Sequence, residues 1–408
     1  MSFTSLKLNT NLTNTLVELG YEKPTPIQEQ SIPFILNNED VMARAQTGTG
    51  KTAAFALPLL EKLLSNSTNN TPRILVLVPT RELAQQVHKN FISYINGLNV
   101  DVAVIHGGVS GKEQLKLIKE GAEIIIATPG RLIDNLNSSQ FTLKNIESVV
   151  LDEADRMLDL GFKEDINHLL SLVPSNRQTL LFSATFNDDV YKFSKKHLKT
   201  PKIIELDENN TAAGSIEQKI YTVDESRKRE LTSFLIGSKN WKQVLIFTRT
   251  KSTADMLAKE MTKDGIKSEA IHSDKSQGAR DRALQRFKDK SIRALIATDI
   301  AARGIDIIDL EYVINYELPY NGEDYIHRIG RTGRAGNTGI AVSLVSPSEE
   351  WLVEAAEKEI KQTILKEWYP GFEPDLNAPV PSSKHKKPSK KTARKNALSN
   401  GRPNRRSK

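Results

Sequence analysis

Residues 45–52, AQTGTGKT, place glycines, a lysine and a hydroxyl side chain in the order that a nucleotide phosphate loop uses. A short apolar run precedes the stretch, and a segment with helical periodicity follows it. In that setting backbone N–H groups can hold phosphates, Lys51 can reach the β and γ oxygens, and the Thr52 hydroxyl can bind Mg²⁺. Ala45 stands where the general pattern has glycine, although a small residue can also open the loop. The alternative is a glycine turn before an exposed helix.

Two adjacent carboxylates end the apolar run SVVLDE at residues 148–153. Open α/β sheets bind ligands at the carboxyl ends of their strands. Asp152 could hold Mg²⁺ there, directly or through water, and Glu153 could orient and deprotonate a water that attacks the γ-phosphorus. The alternative is an acidic helix start that satisfies free N–H groups. Combined with the upstream lysine loop, the pair predicts ATP hydrolysis.

Short β-branched runs that alternate with helical stretches must position these residues. The runs span residues 73–79, 100–107, 123–128, 148–153 and 179–185, then 243–248, 268–273, 293–298, 311–317 and 339–345. They predict two α/β halves, each built on a parallel sheet that is covered on both faces. The halves are weakly alike, yet only the first has a lysine loop, so two domains are expected to share one nucleotide. The predicted boundaries are domain 1 at 1–207, a linker at 208–216, domain 2 at 217–366 and a disordered tail at 367–408.

The composition is that of an ordinary globular protein, with 38% hydrophobic and 26% charged residues among 408. The sequence has no cysteine, which excludes disulfides and thiolate metal sites. Neither a secretion signal nor an apolar run of the ~20 residues that span a membrane is evident. We therefore expect a cytoplasmic protein without membrane association.

The net charge of +7 is concentrated at the C-terminus, where residues 384–408 hold eleven Lys or Arg and no acid. The remaining 46 of the 57 basic residues face 50 acidic residues, which gives the rest of the chain a formal charge of −4. Such a tail either tethers RNA by counterion release or is only a solvated charge run.

Eleven motifs, in order, resemble those of the DEAD-box RNA helicases. The first domain has PTPIQ (24–28), AQTGTGKT (45–52), PTRELAQQ (79–86), GG (107–108), TPGR (128–131), DEAD (152–155) and SAT (183–185). The second has IFTRT (246–250), QGAR (277–280), ATDIAARGID (297–306) and HRIGRTGR (327–334). The resemblance covers residues 3 to about 350 and includes Ala45, since the family's own loop begins with alanine. It implies two RecA-like domains with an ATP cleft between them.

The resemblance also implies roles for individual residues around ATP. Gln28 would read the adenine edge, to which a planar amide is suited, and Tyr21 would stack on the base; alternatively, Gln28 is a surface residue at a helix start. Asp306 would bind the ribose, and Arg331 and Arg334 would be arginine fingers. The phosphates would be held by the whole loop: Ala45, Gln46, Thr47, Gly48, Thr49, Gly50, Lys51 and Thr52.

The spacing of Arg328, Arg331 and Arg334 predicts a helix start with the three arginines on neighbouring faces. A solvated basic face accounts for Arg328. By resemblance His327 helps to join the domains, and Ser183 and Thr185 couple ATP to RNA binding through Asp155. For the last two residues, hydrogen bonding at a strand end is the alternative.

RNA contacts are expected from loops without catalytic acids, through the phosphate and ribose rather than the bases. Each of these residues, taken alone, could instead be a turn or cap residue. The predicted contacts are Pro79, Arg81, Gly107, Gly108, Thr128, Arg131, Thr248, Gln277, Arg280, Thr298 and Asp299.

The sequence thus predicts an ATP-dependent RNA helicase that unwinds short duplexes or remodels RNA–protein complexes, with ATP and Mg²⁺ as cofactors. An ATP-gated RNA clamp or assembly scaffold is the main alternative, and a DNA helicase is a second. The short basic tail most resembles the bacterial RhlE-type branch. Ribosomal precursors and the RNA-decay machinery are expected partners at the level of the family.

Overall fold

A computed structural model describes residues 2–45, 48–65, 71–109, 111–138, 141–206, 216–302, 307, 310–333 and 339–375. The chain divides into two compact units, whose described parts span residues 2–206 and 216–375. The predicted linker at 208–216 lies outside the described residues, except for Ile216, which begins a strand. Within the described ranges, no helix is both long and apolar enough to cross a membrane.

The first unit alternates strands with helices after a 3₁₀ turn at Phe3–Leu6. Its strands are β1 Val41–Arg44, β2 Ile74–Leu77, β3 Val102–Ile105, β4 Ile124–Ala127, β5 Ser148–Leu151, β6 Gln178–Ser183 and β7 Lys202–Glu205. Its helices are α1 Thr10–Glu18, α2 Pro26–Leu36, α3 Lys51–Ser65, α4 Arg81–Tyr94, α5 Gly111–Lys119, α6 Pro129–Ser138, α7 Ala154–Asp159, α8 Lys163–Leu172 and α9 Asp188–His197.

These seven strands form one parallel sheet in the order β3-β4-β2-β5-β6-β1-β7. Successive residues of one strand pack on opposite faces: Val76 joins the cluster that includes α3 and α4, and Leu75 joins the cluster that includes α8. Both faces are therefore covered, which explains why β2 reads as a continuous apolar run. The predicted fold of the first half is confirmed.

The second unit has the same plan. Its strands are β8 Ile216–Thr222, β9 Val244–Thr248, β10 Ser268–Ile271, β11 Ala294–Thr298, β12 Tyr312–Asn315, β13 Gly339–Val345 and β14 Lys366–Glu367. Its helices are α10 Lys228–Ser238, α11 Lys251–Lys263, α12 Gln277–Lys288, α13 Asp299–Ala302, α14 Gly322–Ile329 and α15 Glu350–Ile360, with 3₁₀ turns at Glu225–Arg227 and Pro347–Glu349.

The second sheet is also parallel and has the order β10-β11-β9-β12-β13-β8-β14. Adding seven to each strand number of the first sheet gives this order. The weak likeness between the two halves of the sequence therefore corresponds to an identical topology, as a duplicated domain would have.

The predicted start of the disordered tail at residue 367 is wrong. Glu367 pairs with Tyr221 on β8, and the Tyr369 ring meets the Tyr221 ring edge-on at 5.2 Å between centroids. Phe372 is buried in the core of the second unit, where Arg227 lies 4.7 Å from its ring. Burial of these aromatic rings favours an ordered segment that extends the second unit to at least residue 372. Residues 376–408 lie outside the described residues.

Candidate functional site

The glycine loop lies at the carboxyl end of β1, where buried Ala45 donates its N–H to Ser183 on β6. Gly48 and Gly50 have φ of +84° and +90°, a conformation that L side chains rarely adopt. They form a turn with Thr49, and α3 begins directly after it at Lys51, followed by half-buried Thr52. Gln46 and Thr47, also predicted to belong to the loop, lie outside the described residues.

The Lys51 ammonium group is buried at the start of α3. Its side chain is 6% exposed, and its Nζ makes no hydrogen bond to any described residue. A buried ammonium without hydrogen-bond partners is costly. At the N-terminus of α3, where N–H groups are also unsatisfied, this group suits an anion.

Gln28 joins the loop to the start of α2. Its Nε2 donates to the Gly50 carbonyl at 3.1 Å, and its Oε1 accepts the Thr25 N–H at 2.9 Å. A Cβ at position 50 would collide with Nε2, so glycine is required there for the contact. The amide keeps one N–H and one acceptor site beyond these bonds, which is what reading an adenine edge requires.

Tyr21 lies between two other aromatic rings. Phe3 and Tyr94 meet its ring edge-on at 6.4 and 6.2 Å between centroids, and its hydroxyl is 3.2 Å from that of Tyr94. Burial, the nearby Tyr21 and the shared hydrogen bond raise the pKa of Tyr94. The structure thus fixes the orientation of Tyr21 close to α2.

Asp152 and Glu153 follow β5 and are both buried. Asp152 Oδ1 accepts the Glu153 N–H at 3.0 Å, and Glu153 itself is left-handed, with φ of 52°. Burial raises the pKa of Asp152 to about 6, the charge of Lys51 opposes the rise, and Glu153 and Asp155 add to it. Lys51 and Asp152 therefore interact, which makes this strand end a site for a cation and an anion together.

Asp155 contacts both polar residues of the SAT segment. Its Oδ2 accepts the Thr185 N–H at 3.0 Å and the Thr185 hydroxyl at 3.2 Å, while its own N–H donates to Ser183 Oγ at 3.3 Å. The Ser183 hydroxyl in turn donates to the Thr185 carbonyl at 2.7 Å. The three predicted coupling residues thus form one hydrogen-bonded cluster between α7 and β6.

The predicted helix start at HRIGRTGR is wrong, because α14 ends at Ile329. His327 and Arg328 lie in its last turn, and Arg331 follows in a turn, where it is 3% exposed. The Gly330 N–H bonds back to Ile326 as the helix ends. Arg334 and Asp306, predicted to contact the nucleotide, lie outside the described residues.

Arg328 is not on a solvated face, which corrects the sequence interpretation. It is 1% exposed and donates two hydrogen bonds to Asp299, from Nε to Oδ1 at 2.6 Å and from Nη2 to Oδ2 at 2.8 Å. Its Nη1 donates to the Glu317 carbonyl at 2.6 Å, and its guanidinium lies 5.1 Å from the Phe247 ring. Asp299, predicted to contact RNA, therefore already has a fixed internal partner.

The predicted RNA contacts of the first unit meet at the carboxyl ends of β2, β3 and β4. A Cβ at Gly107 would lie 2.9 Å from Nη2 of Arg81, so glycine lets the guanidinium pack against the backbone. Arg131 Nη2 donates to the Val109 carbonyl at 3.0 Å. Gly108 has φ of +88° in the same turn, whereas Pro79 and Thr128 are buried. Two arginines thus border one glycine turn.

In the second unit the predicted RNA contacts end β9 and β11 or lie in the first turn of α12 or α13. Thr248 is fully buried, and its hydroxyl donates to the Thr250 carbonyl at 3.2 Å. Gln277 Nε2 donates to Asp281 Oδ1 at 3.0 Å. Arg280 and Thr298 are each 7% exposed. Sequence reasoning missed Arg249, which follows Thr248. Its ion pairs with Glu317 and Glu349 join residues that are distant in the sequence, so no local pattern reveals them.

These features define the class of protein. A lysine at the head of α3, beside two buried carboxylates at a strand end, is the arrangement of P-loop nucleotide hydrolases. The two parallel sheets make both units RecA-like. Residues 25–193 match the DEAD/DEAH box helicase family, and residues 226–336 match the helicase conserved C-terminal domain. The chain belongs to the DEAD-box ATP-dependent RNA helicases.

Its relatives agree with this assignment. The DEAD-box ATP-dependent RNA helicase CshA of Geobacillus kaustophilus is 40% identical over 361 residues, which cover 88% of this chain and 77% of CshA. RhpA of Helicobacter pylori is 41% identical over 363 residues, covering 89% and 73% of the two chains. The structure of S. cerevisiae Dbp5 bound to RNA and ADP BeF3 has a TM-score of 0.81 at 31% identity and covers 90% of this chain and 95% of that one.

Proposed function

We propose that the protein hydrolyses ATP in response to RNA and uses this cycle to unwind short RNA duplexes or remodel RNA–protein complexes. The buried Lys51 ammonium, which has no hydrogen-bond partner among the described residues, carries the proposal. It lies at a helix N-terminus and interacts with Asp152, so a phosphate with a bound cation would satisfy both residues. Membership of the DEAD-box family supplies RNA as the partner.

The loop residues fit a nucleoside triphosphate. In the proposed complex, backbone N–H groups of residues 45–50 and Lys51 hold the phosphates, and Tyr21, Gln28 and Asp306 hold the adenosine. Thr52 and Asp152 would hold Mg²⁺, partly through water, and the metal would supply positive charge that neutralises the phosphates. Glu153 accepts the proton of the attacking water.

In the proposed cycle the second unit adds positive charge to that of Lys51. Arg331 and Arg334 contact the transferring phosphate when ATP and RNA are both bound, a contribution worth about 10³ to 10⁵ in rate. His327 and the cluster of Asp155, Ser183 and Thr185 link this step to RNA. Because Arg81 and Arg131 border a glycine turn and guanidinium groups suit phosphates, RNA is held by its backbone, independently of sequence.

Replacing Glu153 with Gln tests the proposed chemistry. Glu153→Gln removes the base and leaves the loop intact, so RNA-stimulated kcat should fall by about 10² to 10⁴ while ATP-dependent RNA binding persists. Glu164→Gln, which changes an exposed acid on α8, is the matched control and should retain full activity. Hydrolysis at the wild-type rate in Glu153→Gln would refute the assigned role.

A strand-displacement assay separates unwinding from clamping. With ATP the protein should release one strand of a short RNA duplex, whereas a non-hydrolysable analogue should support binding without repeated turnover. ATP-dependent binding without displacement would favour the clamp or assembly scaffold. Equal stimulation of the ATPase by single-stranded DNA would favour the DNA helicase.

The finer assignments remain predictions. They are the RhlE-type branch, the cytoplasmic location, the tethering of RNA by the tail, and ribosomal precursors or RNA-decay machinery as partners. Crosslinking the protein to RNA in cells and sequencing the bound RNA tests the last of these directly.

A further inference from the structure

Four charged side chains of the second unit form a buried series of ion pairs, here called the charge chain: Lys228, Glu349, Arg249 and Glu317. Lys228 Nζ pairs with Glu349 Oε2, Arg249 Nη2 contacts Glu349 Oε1 at 2.5 Å, and the same Nη2 lies 3.4 Å from Glu317 Oε1. The four side chains are 0%, 8%, 18% and 10% exposed in that order. The charge chain therefore lies inside the second unit.

The charge chain ties together four separate segments. Lys228 begins α10, Glu349 ends the 3₁₀ turn that follows β13, Arg249 follows β9, and Glu317 follows β12. Since β9, β12 and β13 are neighbours in the sheet, their carboxyl ends meet at one edge. The charge chain thus links this edge to the first turn of α10.

The loop of residues 248–250, which begins at the last residue of β9, is held at several points. Glu317 Oε2 accepts the Arg249 N–H at 2.7 Å, so one carboxylate holds both the backbone and the side chain of Arg249. The Thr248 hydroxyl donates to the Thr250 carbonyl at 3.2 Å, and Thr250 Oγ1 accepts the Thr253 N–H at 3.0 Å. The conformation of the loop therefore depends on Arg249 as its central residue.

The charges stabilise one another despite burial. Burial alone would raise the pKa of Glu349, but Lys228 and Arg249 hold it below its ordinary value. Burial likewise opposes the charge of Arg249, while Glu349 and Glu317 raise its pKa. A well-packed apolar group often stabilises a fold as well as a buried ion pair does. The ion pairs fix the orientation of each charged side chain, which apolar packing would not do.

We propose that the charge chain positions residues 248–250 for RNA, with Arg249 acting through Thr248 and Thr250 rather than touching RNA itself. The inference rests on the proposed function and on the expectation from the sequence that the segment around Thr248 lies against the RNA backbone. It assigns Lys228 and Glu349, which lie outside the recognised motifs, a role in RNA affinity.

Two substitutions and a control test this inference. Glu349→Gln and Arg249→Met should each raise the RNA concentration for half-maximal ATPase about tenfold, with kcat at saturating RNA and the KM for ATP changed less than about twofold. Arg249→Lys, which keeps the charge but loses the planar fork, should fall between wild type and Arg249→Met. Glu350→Gln changes the neighbouring exposed acid and should behave as wild type.

A direct phosphate contact by Arg249 predicts the opposite outcome for one variant. Glu349→Gln would then free the guanidinium and tighten RNA binding, and Arg249→Met would lower the slope of binding against salt by about one charge. A purely structural role predicts a lower Tm with no change in RNA affinity. Either result would overturn the inference.

The design also covers variants that do not fold. If Glu349→Gln fails to fold, the paired replacement Lys228→Met with Glu349→Leu removes the unpaired charge and should fold, yet still weaken RNA binding. Wild-type RNA affinity in that double variant would contradict the inference. An ATPase that RNA does not stimulate in the wild-type protein would instead contradict the proposed function.

Discussion

Gln28 and Gly50 are so close that a side chain at position 50 would displace the Gln28 amide. The Gln28 amide donates to the Gly50 carbonyl. Gly50 also has a φ of +90°, a backbone conformation that residues with a side chain rarely adopt. The phosphate loop and the first turn of α2 are therefore one unit, and a change in either should affect nucleotide binding.

Gly50→Ala should reduce affinity for ATP at least about tenfold, because its Cβ would displace Gln28 in addition to straining the backbone. Gly20→Ala is the matched control, since Gly20 has φ of +81° with nothing within 4 Å of a Cβ. The control should lose about 1 to 2 kcal/mol of stability and no ATP affinity. Titration with a fluorescent ATP analogue measures the ATP affinity of both variants. Equal losses in the two variants would mean that backbone strain alone explains the effect.

Asp152→Asn should stabilise the ligand-free protein while abolishing ATP binding. The pKa of Asp152 is raised from 3.8 to about 6, so the native state holds a proton that the unfolded chain releases at lower pH. This group therefore lowers the free energy of unfolding progressively between pH of about 4 and 6, and fully above that range. The gain in Asp152→Asn should be on the order of 2 kcal/mol at pH 8 and smaller at pH 5, as measured by urea unfolding. An equal gain at both pH values would contradict the assigned ionisation.

At the scale of elements, the central strands could be predicted because both of their faces are buried. β2, β4 and β5 read as continuous apolar runs. β7 and β14 lie at the edge of their sheets and are largely exposed, and β8 is half-exposed over Glu217 to Lys219, so no such run marks them. Sequence patterns detect burial, and these three strands have too little of it.

The same reasoning explains what could be predicted of the candidate site. Because parallel strands end at one edge, the sequence indicates that the loop, the DEAD residues and the SAT residues lie close together. The partners of individual side chains have no such signal, since Arg328 and Asp299 are 29 residues apart. The sequence therefore indicates a solvated Arg328, whereas the structure places it at the centre of an internal network.

Arg328→Met should destabilise the second unit by about 3 to 5 kcal/mol, because it leaves the Asp299 carboxylate without its partner. Hydrogen exchange of β11 and β12, the strands next to these residues, measures the loss locally. Arg282→Met replaces an exposed arginine on α12 and should leave exchange unchanged. If the amides of β11 and β12 exchange as slowly in Arg328→Met as in wild type, the ion pair between Arg328 and Asp299 does not stabilise the second unit.

At the scale of the whole molecule, the charge is divided between a slightly acidic body and a basic C-terminus. In the proposed function the two units hold the RNA backbone through a few side chains, whereas residues 384–408 add eleven positive charges without acids. Affinity for RNA and the coupling of RNA to ATP should therefore be separable.

Deleting residues 384–408 should weaken RNA binding and make its dependence on salt shallower by several charges, because fewer counterions are released. ATPase at saturating RNA should stay close to that of wild type. A chain whose tail is replaced by a Gly/Ser segment of equal length is the control for length, and it should match the deletion. RNA affinity measured from 50 to 200 mM salt tests this prediction, because the logarithm of affinity over this range falls in proportion to the number of phosphate contacts. An unchanged slope would make the tail a solvated appendage.

The identical strand order of the two sheets sets Lys51 and Lys228 in equivalent positions, since each begins the helix that follows the first strand of its unit. The ammonium of Lys51 has no hydrogen-bond partner among the described residues, whereas that of Lys228 pairs with Glu225 and Glu349. In the second unit, carboxylates of the same polypeptide thus take the place that the proposed function gives to an exchangeable phosphate in the first. The same position in the fold is therefore closed by internal ion pairs in one unit and, in the proposed function, left open to a diffusing ligand in the other.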